Sequence, residues 1–334
     1  MLVEPGRYRE RGRACPGRPT SVCAVATTKD GISIVGGGSR THPVTLIARR
    51  GQDLGIAVGR GAGNCVDDAS KRVHGSLVSG LTVQGFSEVG VQLVCVDHWR
   101  ITHVRAVGNH EYGTFPSHTV SGRLDHSFAS GAFDTGHYIG QSLQARVDDN
   151  VARANVSGFE IENSSQIRLD HNLAKGNTAG FLSFTLPGLD RDSNSDNRID
   201  HNRSERNNRP NTCLDPEDIV CKVPPGTGIL LVAADRNRVE SNRVTNNNSL
   251  GIAVSNYCVA TNSSPSECAA LDIDPNPDAN QLISNTATGN GKKPDPSFPS
   301  AFAVDLAWDL TGTGNCWSDN HVGTSFPLTF PPCP

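Results

Sequence analysis

Residues suited to acid–base chemistry concentrate between positions 112 and 138. Tyr112 and His118 flank a short strand-like segment, and Asp134, His137 and Tyr138 repeat the combination further along the chain. An acid, a phenol and an imidazole together suit proton abstraction beside a carboxylate, because one group removes the proton at carbon 5 of a uronic acid while another donates. We therefore predict these five residues to be catalytic.

A second set of polar and aromatic residues is predicted to bind the substrate. Most of them lie on the outward positions of neighbouring strand-like segments, and two basic residues are expected to neutralise the substrate carboxylate. The predicted substrate-binding residues are Gln92, Glu111, Phe115, Arg153, Glu160, Glu162 and Lys175.

Two other interpretations of these residues remain open. Stacked Tyr, Phe and Glu side chains also form plain structural ladders between neighbouring strands, and carbohydrate can be bound without being changed. His137 falls on an inward position by strand alternation, so it also fits an interior histidine.

No cofactor or metal is expected, with calcium as a minor alternative. Residues 190–196 and 272–278 both read Asp-x-Asp-x-Asn-x-Asp, which resembles the start of a calcium loop, but both lack its glycine and terminal glutamate. A column of four histidines follows the acidic positions, but its members are 23, 45 and 30 residues apart, so they do not all lie on adjacent coils and a transition-metal site is not favoured there. These histidines are His103, His126, His171 and His201.

The elements that position these residues follow from an internal repeat. Glycines recur at intervals of 22 or 23 residues, with one step of 48, and two further motifs, Asn-x-x-x-x-Asn and Arg-apolar-acid, follow the same period. Such a period is typical of a solenoid in which each repeat forms one structural unit. The repeat glycines are Gly90, Gly113, Gly136, Gly158, Gly180, Gly228 and Gly251.

Each repeat predicts three short strands separated by turns, so the fold class is all-β, a right-handed parallel β-helix with coils of roughly 22 residues. We expect residues 1–290 to form this helix, with loop insertions at 187–196, 209–226 and 256–279, and residues 291–334 to form a C-terminal cap. The asparagines are expected to form inner ladders, and the 48-residue step is expected to hold two coils plus an inserted loop.

The outward positions of the strands change character along the chain. They are polar and aromatic from Gly90 to Asn163 and apolar from Gly180 onward. An exposed apolar face needs a cover, so we expect the inserted loops to fold over the later coils. The earlier coils would then present an open polar floor.

Composition limits the class of protein. The net charge of -4 gives no sign of a basic surface that would bind nucleic acid. The sequence contains no apolar run of 18 residues, so we expect no insertion into a membrane. The ten cysteines fall into local pairs, which predicts disulfides and a secreted, cell-surface or periplasmic location, although the chain begins without an apolar signal segment. We expect a monomer whose partner is a polysaccharide.

Several segments resemble secreted bacterial right-handed parallel β-helix repeat proteins. The resemblance covers roughly residues 75–290 and implies the wider class of pectate lyases, alginate lyases and mannuronan epimerases. It is carried by Gly136-His-Tyr-Ile-Gly-Gln-Ser142, Gly158-Phe-Glu-Ile-Glu-Asn-Ser164, residues 180–189 and residues 224–228.

The segment Tyr112-Gly-Thr-Phe-Pro-Ser-His118 is similar to the Tyr-Gly-Phe-Asp-Pro-His motif of mannuronan epimerases, with one residue inserted. The similarity implies acid–base roles for Tyr112 and His118, with Asp134 of the adjacent coil replacing the acid of the motif. The leading prediction is a lyase or epimerase acting on an acidic, uronate-containing glycan. The alternatives are a non-catalytic carbohydrate- or surface-binding β-helix and, by fold analogy, a periplasmic metal-delivery β-helix.

Overall fold

The chain winds into a right-handed parallel β-helix, as predicted. The structure is a computed structural model that describes residues 1–39, 41–66, 68–296 and 298–334. Each coil adds one strand to each of three long sheets, and the strands of successive coils pair in parallel.

The strands are numbered in chain order. The first seventeen are β1 Leu2–Val3, β2 Gly6–Tyr8, β3 Arg13–Cys15, β4 Arg18–Thr27, β5 Ile32–Gly36, β6 Val44–Ile47, β7 Leu54–Gly59, β8 Val73–Ser79, β9 Leu81–Gln84, β10 Val89–Val94, β11 Val96–Thr102, β12 Arg105–Val107, β13 Tyr112–Ser117, β14 Val120–Asp125, β15 Phe128–Ser130, β16 Thr135–Gly140 and β17 Leu143–Asp148. The others are β18 Val151–Arg153, β19 Ser157–Glu162, β20 Arg168–Asp170, β21 Leu173–Lys175, β22 Ala179–Phe184, β23 Arg198–Asp200, β24 Arg203–Glu205, β25 Thr227–Val232, β26 Arg238–Glu240, β27 Arg243–Thr245, β28 Leu250–Ser255, β29 Gln281–Ile283, β30 Thr286–Thr288, β31 Leu306–Trp308, β32 Cys316–Ser318, β33 His321–Val322 and β34 Ser325–Phe326.

Helices are short and lie outside the coils. The α-helices are α1 Tyr257–Thr261 and α2 Pro265–Ala269, and the 3-10 helices are Ala62–Asn64, Ala69–Lys71, Ile219–Lys222 and Ser300–Phe302. Among the described residues, none of the helices is long and apolar enough to cross a membrane.

Three sheets form the walls of the solenoid. Sheet A has the order β1-β5-β8-β11-β14-β17-β20-β23-β26-β29-β32, sheet B the order β2-β6-β9-β12-β15-β18-β21-β24-β27-β30-β33, and sheet C the order β3-β4-β7-β10-β13-β16-β19-β22-β25-β28-β31-β34. Inward side chains of all three sheets stack into one apolar core, which contains the fully buried Phe86, Phe159 and Phe181.

Buried asparagine ladders hold the turns, as the repeat predicts. Asn172 shows the pattern: its Oδ1 accepts from the backbone and side-chain amides of Asn150 at 2.9 and 3.0 Å, and its Nδ2 donates to Asn202 Oδ1 at 3.0 Å. Each amide thus satisfies buried polar groups of the coils on both sides, which would otherwise destabilise a solenoid so rich in turns.

The Arg-apolar-acid motif forms a second ladder on sheet A. Arg123 donates to the Asp148 carboxylate from Nε, at 2.8 Å, and from Nη2. Arg146 donates to Asp170 of the next coil through the same two nitrogens. In four coils the turn from sheet A to sheet B begins with a histidine of the column named above, and each of these histidines has the left-handed conformation. They are His103, His126, His171 and His201. The Nδ1 atoms of His126, His171 and His201 each lie 2.8 Å from the preceding aspartate.

Two of the predicted boundaries are wrong. The step from Gly180 to Gly228 holds one coil rather than two, because β22 pairs directly with β25 and the extra residues form two insertions. Residues 291–334 do more than cap the end, since β31 to β34 continue the three sheets as far as Phe326. The fading periodicity after Asn290 hid this last coil.

All five predicted disulfides are present. They join Cys15–Cys23, Cys65–Cys95, Cys213–Cys221, Cys258–Cys268 and Cys316–Cys333. Two of them close loops within the insertions at 209–226 and 256–279. Another ties the antiparallel hairpin of β3 and β4 at the start of sheet C.

The insertions cover the apolar outer face of the later coils. Leu271 and Ile273 of the third insertion pack with Phe184 and Val232 of sheet C, and the backbone N–H of Gly188 donates to the Asp272 carboxylate at 3.1 Å. The predicted cover therefore exists, and its loops also contact one another.

Candidate active site beneath the inserted loops

The candidate site lies on the outer face of sheet C. In the coils from β10 to β22 one outward column runs Gln92, Phe115, Tyr138, Glu160 and Leu182, each beside the next. A second column, two residues further along each strand, contains Glu162 followed by Phe184. The alternation of these strands sends both columns away from the core.

The two columns form the floor of a cavity of about 160 Å³. Its roof comes from the second insertion and from α1. The cavity is lined by Tyr112, Asp134, Glu160, Glu162, Leu182, Phe184, Leu186, Asp218, Ile219, Val220, Lys222, Val223, Pro224, Leu230, Val232, Tyr257, Ala260 and Thr261. One end of the cavity is therefore acidic and the other apolar.

Three carboxyl groups of the floor lie together at the acidic end. Asp134 precedes β16, and its Oδ1 accepts from Thr135 Oγ1 at 2.8 Å and its side chain from the Tyr112 phenol. Glu160 interacts electrostatically with Asp134, and Glu162 accepts a 2.6 Å hydrogen bond from the Tyr138 phenol. Sheet register thus brings residues of three coils to one place.

Burial shifts these carboxyl groups toward their neutral forms. Desolvation raises the pKa of Glu162 to about 7, although the hydrogen bond from Tyr138 acts in the opposite direction. Desolvation and the neighbouring Asp134 carboxylate raise the pKa of Glu160 well above its usual range, and desolvation also raises the pKa of Asp134. Protons are therefore present on this cluster near neutral pH.

The tyrosines hold the carboxyl groups in position. Phe115 stacks on Tyr138 with ring centres 4.4 Å apart, and the Tyr112 ring lies 5.2 Å from the Tyr138 ring. Desolvation raises the pKa of both Tyr112 and Tyr138 well above the ordinary value, so both phenols remain protonated hydrogen-bond donors. Tyr112 lines the cavity, whereas Tyr138 is 3% exposed and contacts the cavity through Glu162.

The structure places His137 inside the coil. Its Nδ1 lies 3.0 Å from Thr114 Oγ1, its ring contacts Phe159, and it is 1% exposed. Desolvation lowers its pKa to about 3, so the ring is neutral. The catalytic assignment of His137 is wrong because a substrate on the outer face cannot reach an inward side chain.

His118 does not line the cavity either. It follows β13 in the left-handed conformation, with Nε2 2.9 Å from Asp190 of the first insertion and Nδ1 2.9 Å from Ser117 Oγ. Its backbone carbonyl accepts from Arg72. This arrangement ties an insertion to the coils, so we do not retain His118 as an acid or base.

The remaining predicted substrate-binding residues lie either behind the cavity floor or away from the cavity. Phe115 supports the cavity floor from behind, as described, and Gln92 lies next to it but is 6% exposed. Glu111 is exposed and does not line the cavity, and Arg153 and Lys175 end β18 and β21 of sheet B. The two basic residues are therefore on another face of the solenoid, where Lys175 lies 3.5 Å from Glu205.

The open polar floor predicted for the early coils is also wrong, because a roof covers it. The roof residues Asp218, Lys222 and Tyr257 were missed, since insertions carry no repeat from which a position could be read. One signal was available: the Cys213–Cys221 disulfide brackets an acidic segment, Asp215-Pro-Glu-Asp218, directly before the coil that follows.

The side chains of residues 190–196, whose spacing resembles the start of a calcium loop, are bound elsewhere. Asp190 bonds His118, Asn194 is buried in the asparagine ladder, and Asp196 pairs with Arg236 at 3.0 Å. In the second segment, Asp272 accepts from Gly188 and Asp278 from Thr313. Neither segment converges its carboxylates on one point.

Comparison with known proteins places the chain in a family. The family model described as periplasmic copper-binding protein (NosD) matches residues 73–322. The chain belongs to the NosD family. A search of curated proteins found no match.

Solved structures share the fold of this NosD family member at low sequence identity. The Azotobacter vinelandii mannuronan C-5 epimerase AlgE4 A-module has a TM-score of 0.63 at 15% identity, over 96% of this chain and 85% of the module. DFA-IIIase from Arthrobacter chlorophenolicus A6 in complex with GF2 has a TM-score of 0.56 at 15% identity, over 96% of this chain and 76% of the enzyme. These similarities show the fold.

The family description raises the question of which residues here fit copper. Among the described residues, three metal-binding side chains meet in one group, His74, Asp97 and His98, with their donor atoms within 4.8 Å of one another. Two imidazoles and a carboxylate fit Cu(II). The soft donors favoured by Cu(I) do not fit, because all ten cysteines form disulfides and Met1 is the single methionine.

Proposed function

We propose that this protein is a carbohydrate-active enzyme that performs acid–base chemistry on a glycan with the carboxyl groups of Asp134, Glu160 and Glu162. The observation that carries the proposal is their meeting in one roofed cavity, with the pKa of Glu162 raised to about 7. A general acid or base works best with a pKa near the pH of operation.

The carboxyl groups differ in ways that suit different roles. Glu160, with the pKa raised by burial and by Asp134, is the proton donor of the proposal. Glu162 is the base, because its pKa near 7 leaves a substantial anionic fraction at neutral pH and Tyr138 stabilises that anion with a hydrogen bond. Tyr112 and Asp134 form a hydrogen-bonded pair beside them that orients the sugar.

The charge of the cavity favours a neutral sugar. Asp134, Glu160, Glu162 and Asp218 line it, and Lys222 is the single basic residue among its described lining residues. A carboxylate-bearing sugar would meet like charge whenever these groups ionise, and like charges in a desolvated site oppose binding. Most enzymes that hydrolyse or transfer at a glycosidic bond use a pair of carboxyl groups, one as acid and one as base or nucleophile.

A lyase or epimerase acting on an acidic glycan is the second candidate function. It is favoured by the Tyr112 phenol next to Asp134 and by the fold shared with the mannuronan epimerase module. In this version Lys222 rather than Arg153 or Lys175 neutralises the substrate carboxylate, because Lys222 lines the cavity.

We also propose that the protein works outside the cytoplasm. Five disulfides require an oxidising compartment, and the family model is described as periplasmic. Sequencing the mature protein from fractionated cells tests this location.

The test of function is a substrate screen with matched variants. Neutral polysaccharides are assayed for new reducing ends, and uronate polymers for the ultraviolet absorbance of an unsaturated product and for proton exchange at carbon 5. Glu160→Gln is expected to lower turnover by at least about 100-fold, the usual contribution of a general acid.

Glu217→Gln is the control, because Glu217 is an exposed residue of the second insertion and does not line the cavity. Equal turnover by wild type and Glu160→Gln contradicts the assignment. Binding of a glycan without any turnover would identify a non-catalytic binding protein instead.

A further inference from the structure

Metal-binding side chains converge on sheet A, on a different sheet from the glycan cavity. His74 of β8 and Asp97 of β11 are register partners, and His74 Nδ1 lies 2.6 Å from Asp97 Oδ1. Parallel pairing at this point is what brings the imidazole and the carboxylate of successive coils together.

A local change of backbone adds the second imidazole. His98 follows Asp97 directly, so in a regular strand its side chain would point to the opposite face. Its φ of 50° breaks the alternation, and its Nδ1 lies 3.3 Å from the same Asp97 Oδ1. In the preceding coil the corresponding residue is Gly75, where a Cβ would meet no atom closer than 3.9 Å. There is therefore open space beside the group.

We propose that His74, Asp97 and His98 bind a divalent transition-metal ion, with Cu(II) the preferred ion. Imidazole nitrogens are borderline ligands that suit Cu(II), Zn(II) and Ni(II), and the carboxylate oxygen adds a negatively charged donor. Among these divalent ions a given site holds Cu(II) most tightly. Three protein ligands leave coordination positions free for water or for a ligand from a partner.

The exposure of the group suits a metal that enters and leaves. The side chains of His74 and His98 are 54% and 76% exposed, whereas that of Asp97 is 15% exposed. The carboxylate is thus held in place while both rings can rotate from their hydrogen bonds onto an ion about 2.0–2.2 Å from each donor. Such a site fits a metal cargo better than a structural ion.

Neighbouring charged groups act on the site in opposite directions. The backbone N–H of His74 donates to Asp30 Oδ1 at 2.9 Å, which fixes the strand and adds a second carboxylate to its surroundings. Arg72 interacts electrostatically with Asp97, but its guanidinium is bound to the His118 carbonyl.

The other histidines of sheet A provide a contrast. His126 also bonds an aspartate, at 2.8 Å from Asp125, and its ring stacks on His103 with centres 5.0 Å apart. Among the described residues, no second imidazole forms a metal-binding group with His126 and Asp125, so His126 is a histidine–aspartate pair without a third ligand.

The test is direct metal binding by the purified full chain. Cu(II) is titrated calorimetrically, metal content is measured after dialysis, and electron paramagnetic resonance reports whether nitrogen ligands are bound. We expect one Cu(II) per chain with a nitrogen-rich spectrum. His74→Ala and His98→Ala should each weaken binding at least tenfold, and His126→Ala should leave it unchanged.

Circular dichroism of each variant checks that the fold is intact, which the exposure of both rings leads us to expect. The proposal is overturned if the wild type binds no Cu(II), or if binding survives in the His74→Ala/His98→Ala double variant. Since no glycan is used, failure of this test leaves the proposed enzymatic function unaffected, and the converse also holds.

Discussion

At the scale of single residues, the main feature is the free-energy cost of removing ionisable groups from water. Glu162 ends strand β19 and is desolvated by burial, which raises its pKa from the ordinary value to about 7. The folded state therefore holds a proton that the unfolded chain releases between about pH 4.5 and 7. Across this window the contribution of Glu162 to stability falls as the pH rises.

The first prediction concerns this pH dependence. Glu162→Gln removes the ionisation but keeps an oxygen that accepts from Tyr138, so the variant should be about 2 kcal/mol more stable than wild type at pH 8. At pH 4.5 the two proteins should be similar. Urea unfolding at both pH values measures the difference, and Glu217→Gln is the control. A difference that does not change with pH would contradict the shifted pKa.

The second prediction concerns the partner of Glu162. The 2.6 Å hydrogen bond from Tyr138 stabilises the Glu162 anion and lowers its pKa against the effect of burial. Tyr138→Phe should therefore raise the pKa of Glu162 and move the acidic limb of the pH–activity profile upward by about one pH unit. A profile that keeps its midpoint while the rate falls would assign Tyr138 a packing role only.

At the scale of elements, ladders of stacked side chains stabilise coils whose individual strands are short. Every coil is short, so its stability depends on polar groups that repeat in register with the coils on either side. The asparagine ladders are buried and neutral, and the arginine–aspartate ladder on sheet A is half exposed and charged. The two kinds of ladder should therefore respond differently to mutation and to pH.

The third prediction tests the buried ladder. Asn172→Ala deprives the two Asn150 amide donors of their acceptor and removes the two N–H donors of Asn172 Nδ2, which lie within hydrogen-bond distance of three oxygen atoms. Because unsatisfied buried polar groups cost about 1–3 kcal/mol each, we expect a loss of about 3–5 kcal/mol. Denaturant unfolding measures it, with Asn64→Ala as a control at an exposed asparagine. A loss below 1 kcal/mol would mean that the neighbouring coils relax to replace the bonds.

The fourth prediction tests the charged ladder. Burial alone would raise the pKa of Asp125, but hydrogen bonds from Arg100 and His126 outweigh it and hold the pKa at about 2. The stabilisation is thus complete above about pH 4 and is lost as the pH falls through 2. Arg100→Gln should cost about 1 kcal/mol at pH 6, since the arginine is half exposed, and almost nothing at pH 2. Equal losses at both pH values would show that the pair does not act through charge.

At the scale of the whole molecule, a rigid solenoid carries a locally held roof. The coils are stabilised by their neighbours, whereas the second insertion is closed by the Cys213–Cys221 disulfide and forms part of the cavity roof. Function and global stability should therefore be separable.

The fifth prediction follows from this separation. Replacing Cys213 and Cys221 by serine should make residues 209–226 the first site of limited proteolysis and lower glycan turnover. The unfolding midpoint of the coils should change little. The Cys316→Ser/Cys333→Ser variant is the matched control, because that disulfide joins the last coil to the C-terminal end of the chain and not to the second insertion. Unchanged proteolysis and turnover would mean that the roof is held without the disulfide.

The sequence predicts the repeating part of this molecule and not the exceptions to the repeat. Because identical positions stack, the period alone predicts that Asn172 is buried and that Arg146 meets Asp170. Strand alternation likewise predicts that Glu160 points outward and His137 inward. The cavity depends instead on where the insertions fold, and no period constrains Lys222 or Asp218. Arg153 and Lys175 do follow the repeat, as register partners on sheet B, so predicting them at a site on sheet C is an error in the choice of sheet.

The three insertions lie at the corners of the coils where strands of sheet C begin or end. Residues 187–196 follow the C-terminal end of β22, and residues 256–279 follow that of β28. Residues 209–226 precede the N-terminal end of β25. Chain can thus be lengthened, shortened or exchanged at these corners without disturbing the arginine–aspartate ladder of sheet A, provided that Asn194 keeps its place in the asparagine ladder. The molecule is in this sense modular: grafting loops of other lengths at the same corners should yield proteins of equal stability with cavities of different size and selectivity.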